Sequence, residues 1–148
     1  AHAVVSWDVE REFQPVVGVR YFDRDDLGLL PVVGVIVQPD EKTRLELLFP
    51  EPRVAWRVGD DPEKERWISL SGQIGGGAWA IERRPSGLAD VATYNDYQLV
   101  LALDTIDAEN SVSSIEFGYA FSRELLYRSN VGNYNPADTI FVRFSSRK

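Results

Sequence analysis

The sequence predicts an all-β chain: an antiparallel up-and-down meander of about nine strands closing into a β-barrel, with a two-sheet β-sandwich as the alternative. Three observations carry this expectation. First, apolar residues recur at every second position, as in Ile115, Phe117, Tyr119 and Phe121 against Ser114, Glu116, Gly118, Ala120 and Ser122. That period marks a strand with one apolar and one polar face. Second, the connections are mostly short and polar, which favours antiparallel neighbours, because parallel strands need long crossovers. Third, no segment keeps a helical period over a useful length.

Each strand can be justified in turn. Ala3, Val5, Trp7 and Val9 alternate with Val4, Ser6, Asp8 and Glu10. Phe13, Pro15, Val17, Val19 and Tyr21 alternate with Gln14, Val16, Gly18, Arg20 and Phe22. The acidic run Asp23 to Gly28 is a turn. Val32 to Gln38 is β-branched and almost wholly apolar, and Pro39-Asp40-Glu41-Lys42 turns the chain back. Proline pre-sets φ there, and aspartate favours turns. Leu45, Leu47 and Phe49 oppose Arg44, Glu46 and Leu48, until Pro50-Glu51-Pro52 breaks the ladder for want of N–H donors.

Val54, Trp56 and Val58 form the next apolar row, followed by the charged loop 59–66. Ile68, Leu70 and Ile74 face away from Trp67, Ser69, Ser71 and Gln73. Gly75-Gly76-Gly77 predicts a bulge or sharp bend, after which Trp79 and Ile81 resume an apolar face. Residues 84–92 read as a loop. Tyr97, Leu99, Leu101 and Leu103 form the row immediately before the Ile115–Phe121 strand. Ile140, Val142 and Phe144 form the last. Leu125 and Leu126 either extend a strand or occupy a short turn. The whole of 1–148 reads as a single all-β domain without linker or repeat.

Charge and composition narrow the function classes. With 23 acidic and 16 basic residues, the formal net charge is −7, against the basic surface a nucleic-acid partner requires. The absence of cysteine removes thiolate nucleophiles and thiolate metal sites. His2, the single histidine, sits near the chain start and supports neither a Ser–His triad nor a histidine metal site. The opening Ala1-His2-Ala3 has the form of a signal-peptide cleavage end, but no charged or apolar leader region precedes it. No run reaches the roughly 20 apolar residues of a membrane helix. Gly72 to Gly77 lacks the Lys-Ser/Thr ending and following helix of a phosphate loop. Asp23, Asp25, Asp26, Asp60 and Asp61 lack EF-hand spacing and read as solvated acidic turns. Glu116 and Glu124, about 26 Å apart along one strand, are no glycosidase pair. The chain is therefore expected to be no enzyme, and to need neither metal nor cofactor. Asn130 to Pro136 is a polar, aromatic loop of the kind that contacts ligands, or a plain surface turn.

Alternation leaves open which face points inward. In a soluble barrel the apolar face lines the interior, whereas in an outer-membrane barrel it meets lipid. The membrane reading is favoured by the large, regular apolar face and by small residues with charges of both signs on the other. It lines the lumen with Arg20, Glu46, Arg57, Glu116 and Arg143. Trp7, Tyr21, Trp56, Trp79, Tyr97, Phe117, Tyr119 and Phe144 then face lipid, several near strand ends, where an interfacial girdle forms. The competing reading is a soluble β-barrel or sandwich binding an apolar or carbohydrate ligand, with Trp7, Trp56, Tyr97, Phe117 and Tyr119 in its core or pocket.

Trp67-Ile68-Ser69 through Gly75-Gly76-Gly77-Ala78-Trp79-Ala80-Ile81-Glu82-Arg83 resembles a family of uncharacterised, porin-like bacterial outer-membrane β-barrels. So do Asp90 to Tyr97, Phe117-Gly118-Tyr119, Arg123-Glu124-Leu125, Tyr127-Arg128-Ser129 and Pro136-Ala137-Asp138-Thr139. The resemblance covers the last two-thirds of the chain and rests on structural, not catalytic, motifs. It implies a membrane-spanning barrel in the bacterial outer membrane, with the bilayer as partner and small polar solutes passing passively or a structural role. The soluble alternative places the protein in the periplasm or outside the cell. Members of the family are longer, which makes 1–148 a C-terminal portion completed by further strands or by an oligomer. Their barrels commonly end on an aromatic residue, whereas Phe144 here is followed by Ser145-Ser146-Arg147-Lys148.

Overall fold

The computed structural model describes residues 2–6, 13–21, 28–59, 61, 64–84, 86–109 and 111–147. Trp7 and the acidic residues Asp23, Asp25, Asp26 and Asp60 lie outside these, so their expected roles are not addressed. The strands are β1 (His2–Ser6), β2 (Phe13–Tyr21), β3 (Leu29–Asp40), β4 (Thr43–Phe49), β5 (Arg53–Arg57), β6 (Lys64–Arg83), β7 (Leu88–Asp107), β8 (Val112–Tyr127) and β9 (Thr139–Arg147). They form one sheet in sequence order, every pair antiparallel. The described residues contain no helix.

The meander is as expected, but the sheet is open. Among the described residues β1 pairs only with β2 and β9 only with β8, so no ladder there joins the first strand to the last. Closure needs that ladder in a register consistent with the strand tilt. All strands belong to a single sheet, which also rules out two stacked sheets.

Several features differ from the sequence expectation, beginning with the charged loop 59–66, whose residues 64–66 already belong to β6. β6 and β7 are each 20 residues long and pair without a break from Lys64↔Asp107 to Arg83↔Leu88. Residues 88–92 of the expected loop are therefore strand. The three glycines make no bulge: Gly75, Gly76 and Gly77 pair in register with Asp96, Asn95 and Tyr94. Gly75 is needed for space, because the Asp96 and Gln98 side chains occupy the volume a Cβ would fill. Since the register holds, Trp79 and Ile81 lie on the face of Ser69 and Ser71, not on that of Ile68 and Leu70.

The bulge lies instead on β8. Its register with β7 shifts between Asn95↔Glu124 and Tyr97↔Phe121, so Ser122 and Arg123 together oppose Asp96. Ser122 adopts φ 48°, the left-handed conformation found at bulges. The extra residue reverses the alternation of β8 and turns Arg123 to the side of Glu116 and Ala120.

The two faces are unlike. Small residues of the polar face are buried: Ala55, Ser69, Ala102, Ser114 and Ala120, together with Val16 and Val100. The apolar face is exposed across the sheet, from Val17 and Val33 through Leu47, Leu70 and Leu101 to Phe117 at 58 % and Phe144 at 72 %. One sheet with its polar side shielded and its apolar side open is curved, with the polar side concave. On β7 the outward apolar row runs from Tyr97 to Leu103, bracketed by Asn95 and Thr105. Those brackets are about 34 Å apart along the strand.

Candidate functional site

The concave face holds two neighbouring cavities of about 700 and 520 Å³. Ion pairs run along their floor. Arg44 Nε donates to Glu46 Oε1 at 2.7 Å, and Arg53 Nη1 lies 3.9 Å from the same oxygen. Arg53 Nη2 also donates to Asp104 Oδ2 at 3.0 Å. That last contact joins β5 to β7 across β6. It is possible because β6 presents only Ser69, 2 % exposed, and Ser71 beneath it.

A second crossing repeats the arrangement. Arg143 on β9 approaches Glu116 Oε2 on β8 at 3.2 Å and reaches Gln98 Oε1 on β7 at 3.4 Å. β8 offers Gly118 and Ala120 at the crossing. The Phe141 ring lies over Gly118, where it fills the space a Cβ would need, and the Arg143 guanidinium stands 5.1 Å from that ring's centroid. Long side chains on alternate strands thus meet over small residues on the strand between them. Crowding on the inner radius of a curved sheet calls for this alternation of large and small.

Of the expected lining residues, Arg20, Glu46, Glu116 and Arg143 border the smaller cavity. Arg20 pairs with Glu51 at the β4–β5 connection. Arg57 stands apart, near the end of β5, paired with Glu65 at 3.1 Å, and borders neither cavity. Arg44, Arg53 and Asp104 complete the charged floor and were not singled out from sequence. The signal was present, since Arg53 and Arg57 share one strand face. The aromatics Tyr21, Trp56, Tyr97, Phe117, Tyr119 and Phe144 are exposed on the convex face, away from the cavities. Trp79 is exposed too, but its register is that of the concave face, with its ring over Gly77. Trp67, on that same register, borders the larger cavity.

Searches of protein-family models, curated proteins and solved structures find no match.

A second polar cluster lies where β6, β7 and β8 run beyond their shorter neighbours. Asp90, 8 % exposed, accepts four hydrogen bonds: from Ser129 Oγ (2.7 Å), Arg83 Nε (2.7 Å), the Val91 amide (2.8 Å) and the Ser129 amide (3.1 Å). The Ser129 hydroxyl bond contributes most to holding the Asp90 carboxyl well below the usual carboxylate range, against a smaller opposing effect of burial. Arg83 also donates to the Val131 carbonyl and stacks over the Tyr127 ring at 4.0 Å. Nearby, Arg123 Nε donates to Tyr94 Oη at 2.7 Å, and Tyr94 Oη donates to Asp96 at 2.8 Å. Arg123 also reaches the Ala137 carbonyl.

These contacts fasten residues 128–138 to the β6–β7 hairpin, and a Leu125↔Tyr134 bridge holds the same segment to β8. Asp90, Tyr94, Asp96, Arg123, Ser129 and Ala137 come from separate stretches of the sequence and meet here. Asn130 to Pro136 forms part of this fastened segment. Among the described residues no group of three or more His, Cys, Asp or Glu could hold a metal ion.

Proposed function

We propose that this chain forms the wall of a porin-like β-barrel of a bacterial outer membrane, through which small polar solutes pass passively. One observation carries the reading: a continuous exposed apolar surface on the convex side of a sheet whose concave side is charged. Soluble monomers rarely expose apolar patches of such extent. Full burial of a Val, Leu, Ile or Phe side chain is worth about 1.5–3 kcal/mol, and these side chains are roughly half covered. Lipid against the convex face therefore offers more stabilisation than the small side chains of the concave face can. The height fits as well. At a tilt of about 40°, the apolar row Tyr97–Leu103, about 20 Å long, projects to about 16 Å and the span of about 34 Å between its polar brackets to about 26 Å, so that an apolar band of about 25 Å, as in outer-membrane barrels, fits between the brackets.

In this reading Arg20, Glu46, Arg57, Glu116 and Arg143 line the lumen, joined by Arg44, Arg53 and Asp104. Tyr21, Trp56, Tyr97, Phe117, Tyr119 and Phe144 meet lipid. The free edges of β1 and β9 pair with further strands, from a longer chain or from other copies, to close the wall. A soluble barrel binding an apolar ligand would require the apolar face to turn inward, whereas here the buried side chains are the small ones of the polar face.

The test places single tryptophans in lipid vesicles, with Trp7 and Trp79 replaced by Phe throughout. Trp56 emission should be quenched by brominated lipid and Trp67 emission by aqueous iodide. A cooperatively folded monomer that stays soluble without detergent would overturn the proposal.

A further inference from the structure

The larger cavity contains a feature its charges do not explain. Trp67 on β6, Asp104 on β7 and Ser114 on β8 are direct cross-strand partners in one row of the concave face. Ser114 is 8 % exposed, and its hydroxyl has no hydrogen-bond partner among the described residues. Glu116 Oε2, two residues along the same face, also lacks a hydrogen bond of good geometry, although Arg143 is near. Buried polar atoms in native structures are nearly always satisfied by protein, water or ligand, so the Ser114 hydroxyl is a place where a polar group from outside the chain is expected.

The charge around them is balanced. Three arginines and three carboxylates border the cavity, and Arg44, Arg53, Glu46 and Asp104 are joined in contacts of 2.7–3.9 Å. Such a floor exerts little net pull on an ion, yet it presents many donors and acceptors to an uncharged polar molecule. Trp67 adds a flat apolar surface at one side. Two strand spacings separate it from Ser114, or about 10 Å.

Resting on the membrane reading above, we propose that the Trp67–Ser114 row is a binding subsite for an uncharged carbohydrate of about two sugar rings. One ring lies against the indole of Trp67. Hydroxyls of the other donate to Glu116 and exchange hydrogen bonds with Ser114. The cavity, at about 700 Å³, is within the range of small-molecule sites. An aromatic platform beside a few convergent polar groups suits a molecule with apolar ring faces and a hydroxyl rim.

The test uses the whole chain folded in lauryldimethylamine oxide, a detergent without a sugar head. Calorimetric titration with maltose is compared with titration by glutamate and by lysine at constant ionic strength. Maltose should bind with Kd on the order of 1 mM, tighter than either charged solute. Trp67→Ala should weaken it about tenfold, Ser114→Ala about threefold and Trp56→Ala, on the convex face, not at all. Trp67→Phe, which keeps a flat ring, should retain most of the affinity, and it decides the matter with Ser114→Ala if Trp67→Ala fails to fold by circular dichroism. No maltose binding to the folded chain, equal binding by Trp67→Ala, or tighter binding of glutamate or lysine overturns the subsite. Vesicle flotation separates the two proposals: a chain that inserts but ignores maltose sinks the subsite alone. One that binds maltose yet stays soluble sinks the membrane reading alone.

Discussion

Gly118→Ala sets two effects of opposite sign against each other at one methyl group. Gly118 lies within β8 at ordinary strand φ, so alanine is conformationally allowed there. On that ground alone the substitution should stabilise by about 0.4–1 kcal/mol, by restricting the unfolded chain. The packing says otherwise. An added Cβ would fall inside the envelope of the Phe141 ring, which must lift and leave its place beneath the Arg143 guanidinium. Overpacking of this kind costs about 1–3 kcal/mol, so the expected net effect is a loss of about 1–2 kcal/mol. Phe141→Ala alone should cost about 1–2 kcal/mol, less than a fully buried phenylalanine, because the ring is only half buried. Combined, the two should cost at least about 1 kcal/mol less than their sum, since the clash exists only when both side chains are present. Urea unfolding in vesicles, followed by tryptophan emission, measures all three variants. A Gly118→Ala protein as stable as the parent, or a strictly additive pair, would refute this packing.

Phe117→Arg should cost about 2–4 kcal/mol in a bilayer if Phe117 lies near the midplane, while Glu116→Gln on the opposite face, which weakens a partly exposed pair with Arg143, should cost no more than about 1 kcal/mol, both read from urea unfolding in vesicles. Asp90, seven residues beyond the outward apolar row of β7, has a carboxyl pKa depressed below its unfolded value. Its contribution is therefore complete above the unfolded pKa of about 4 and is lost as pH falls from there through the folded pKa. The Arg128 and Ser129 amides, bonded to Val91 and Asp90, should be protected from hydrogen exchange at pH 7 and lose protection in acid, and Asp90→Asn should remove that dependence. Arg53→Gln removes a partly exposed cation from Glu46 and Asp104. It should change stability by less than about 1 kcal/mol and move the reversal potential of reconstituted channels toward cation preference.

The alternation that made the strands legible also sorted the faces, because a period of two is fixed by the backbone. It failed where it was interrupted. Residues 88–92 mix apolar, small and acidic side chains without a clean period of two, so the first part of β7 reads as a loop. The three glycines looked like a bulge because glycine relieves both backbone strain and crowding, and sequence alone does not separate the two. At Gly75 the cause is crowding by Asp96 and Gln98. The true bulge, at Ser122, carries no glycine and gave no signal. Glu46, Glu116 and Arg143 could be placed on one face from parity, but not the links from Arg53 to Asp104 or from Arg83 to Asp90. Those depend on which strands neighbour which, and on how far the sheet bends. Trp67 lay in plain view on the polar parity, yet a lone aromatic among serines does not say whether it borders a cavity.

The crossings from β5 to β7 and from β7 to β9 act as struts. Each is a chord across the hollow side of the sheet, and its length sets the bending radius there. Ser69 on β6 and Gly118 on β8 are the clearances under these chords, so their smallness is a mechanical tolerance as much as a packing detail. A bulky residue at either place would lever its strut away from the opposite anchor, and the wall would flatten around it. In the proposed barrel, the width of the lumen would then be governed less by the residues that project furthest into it than by the smallest ones beneath them.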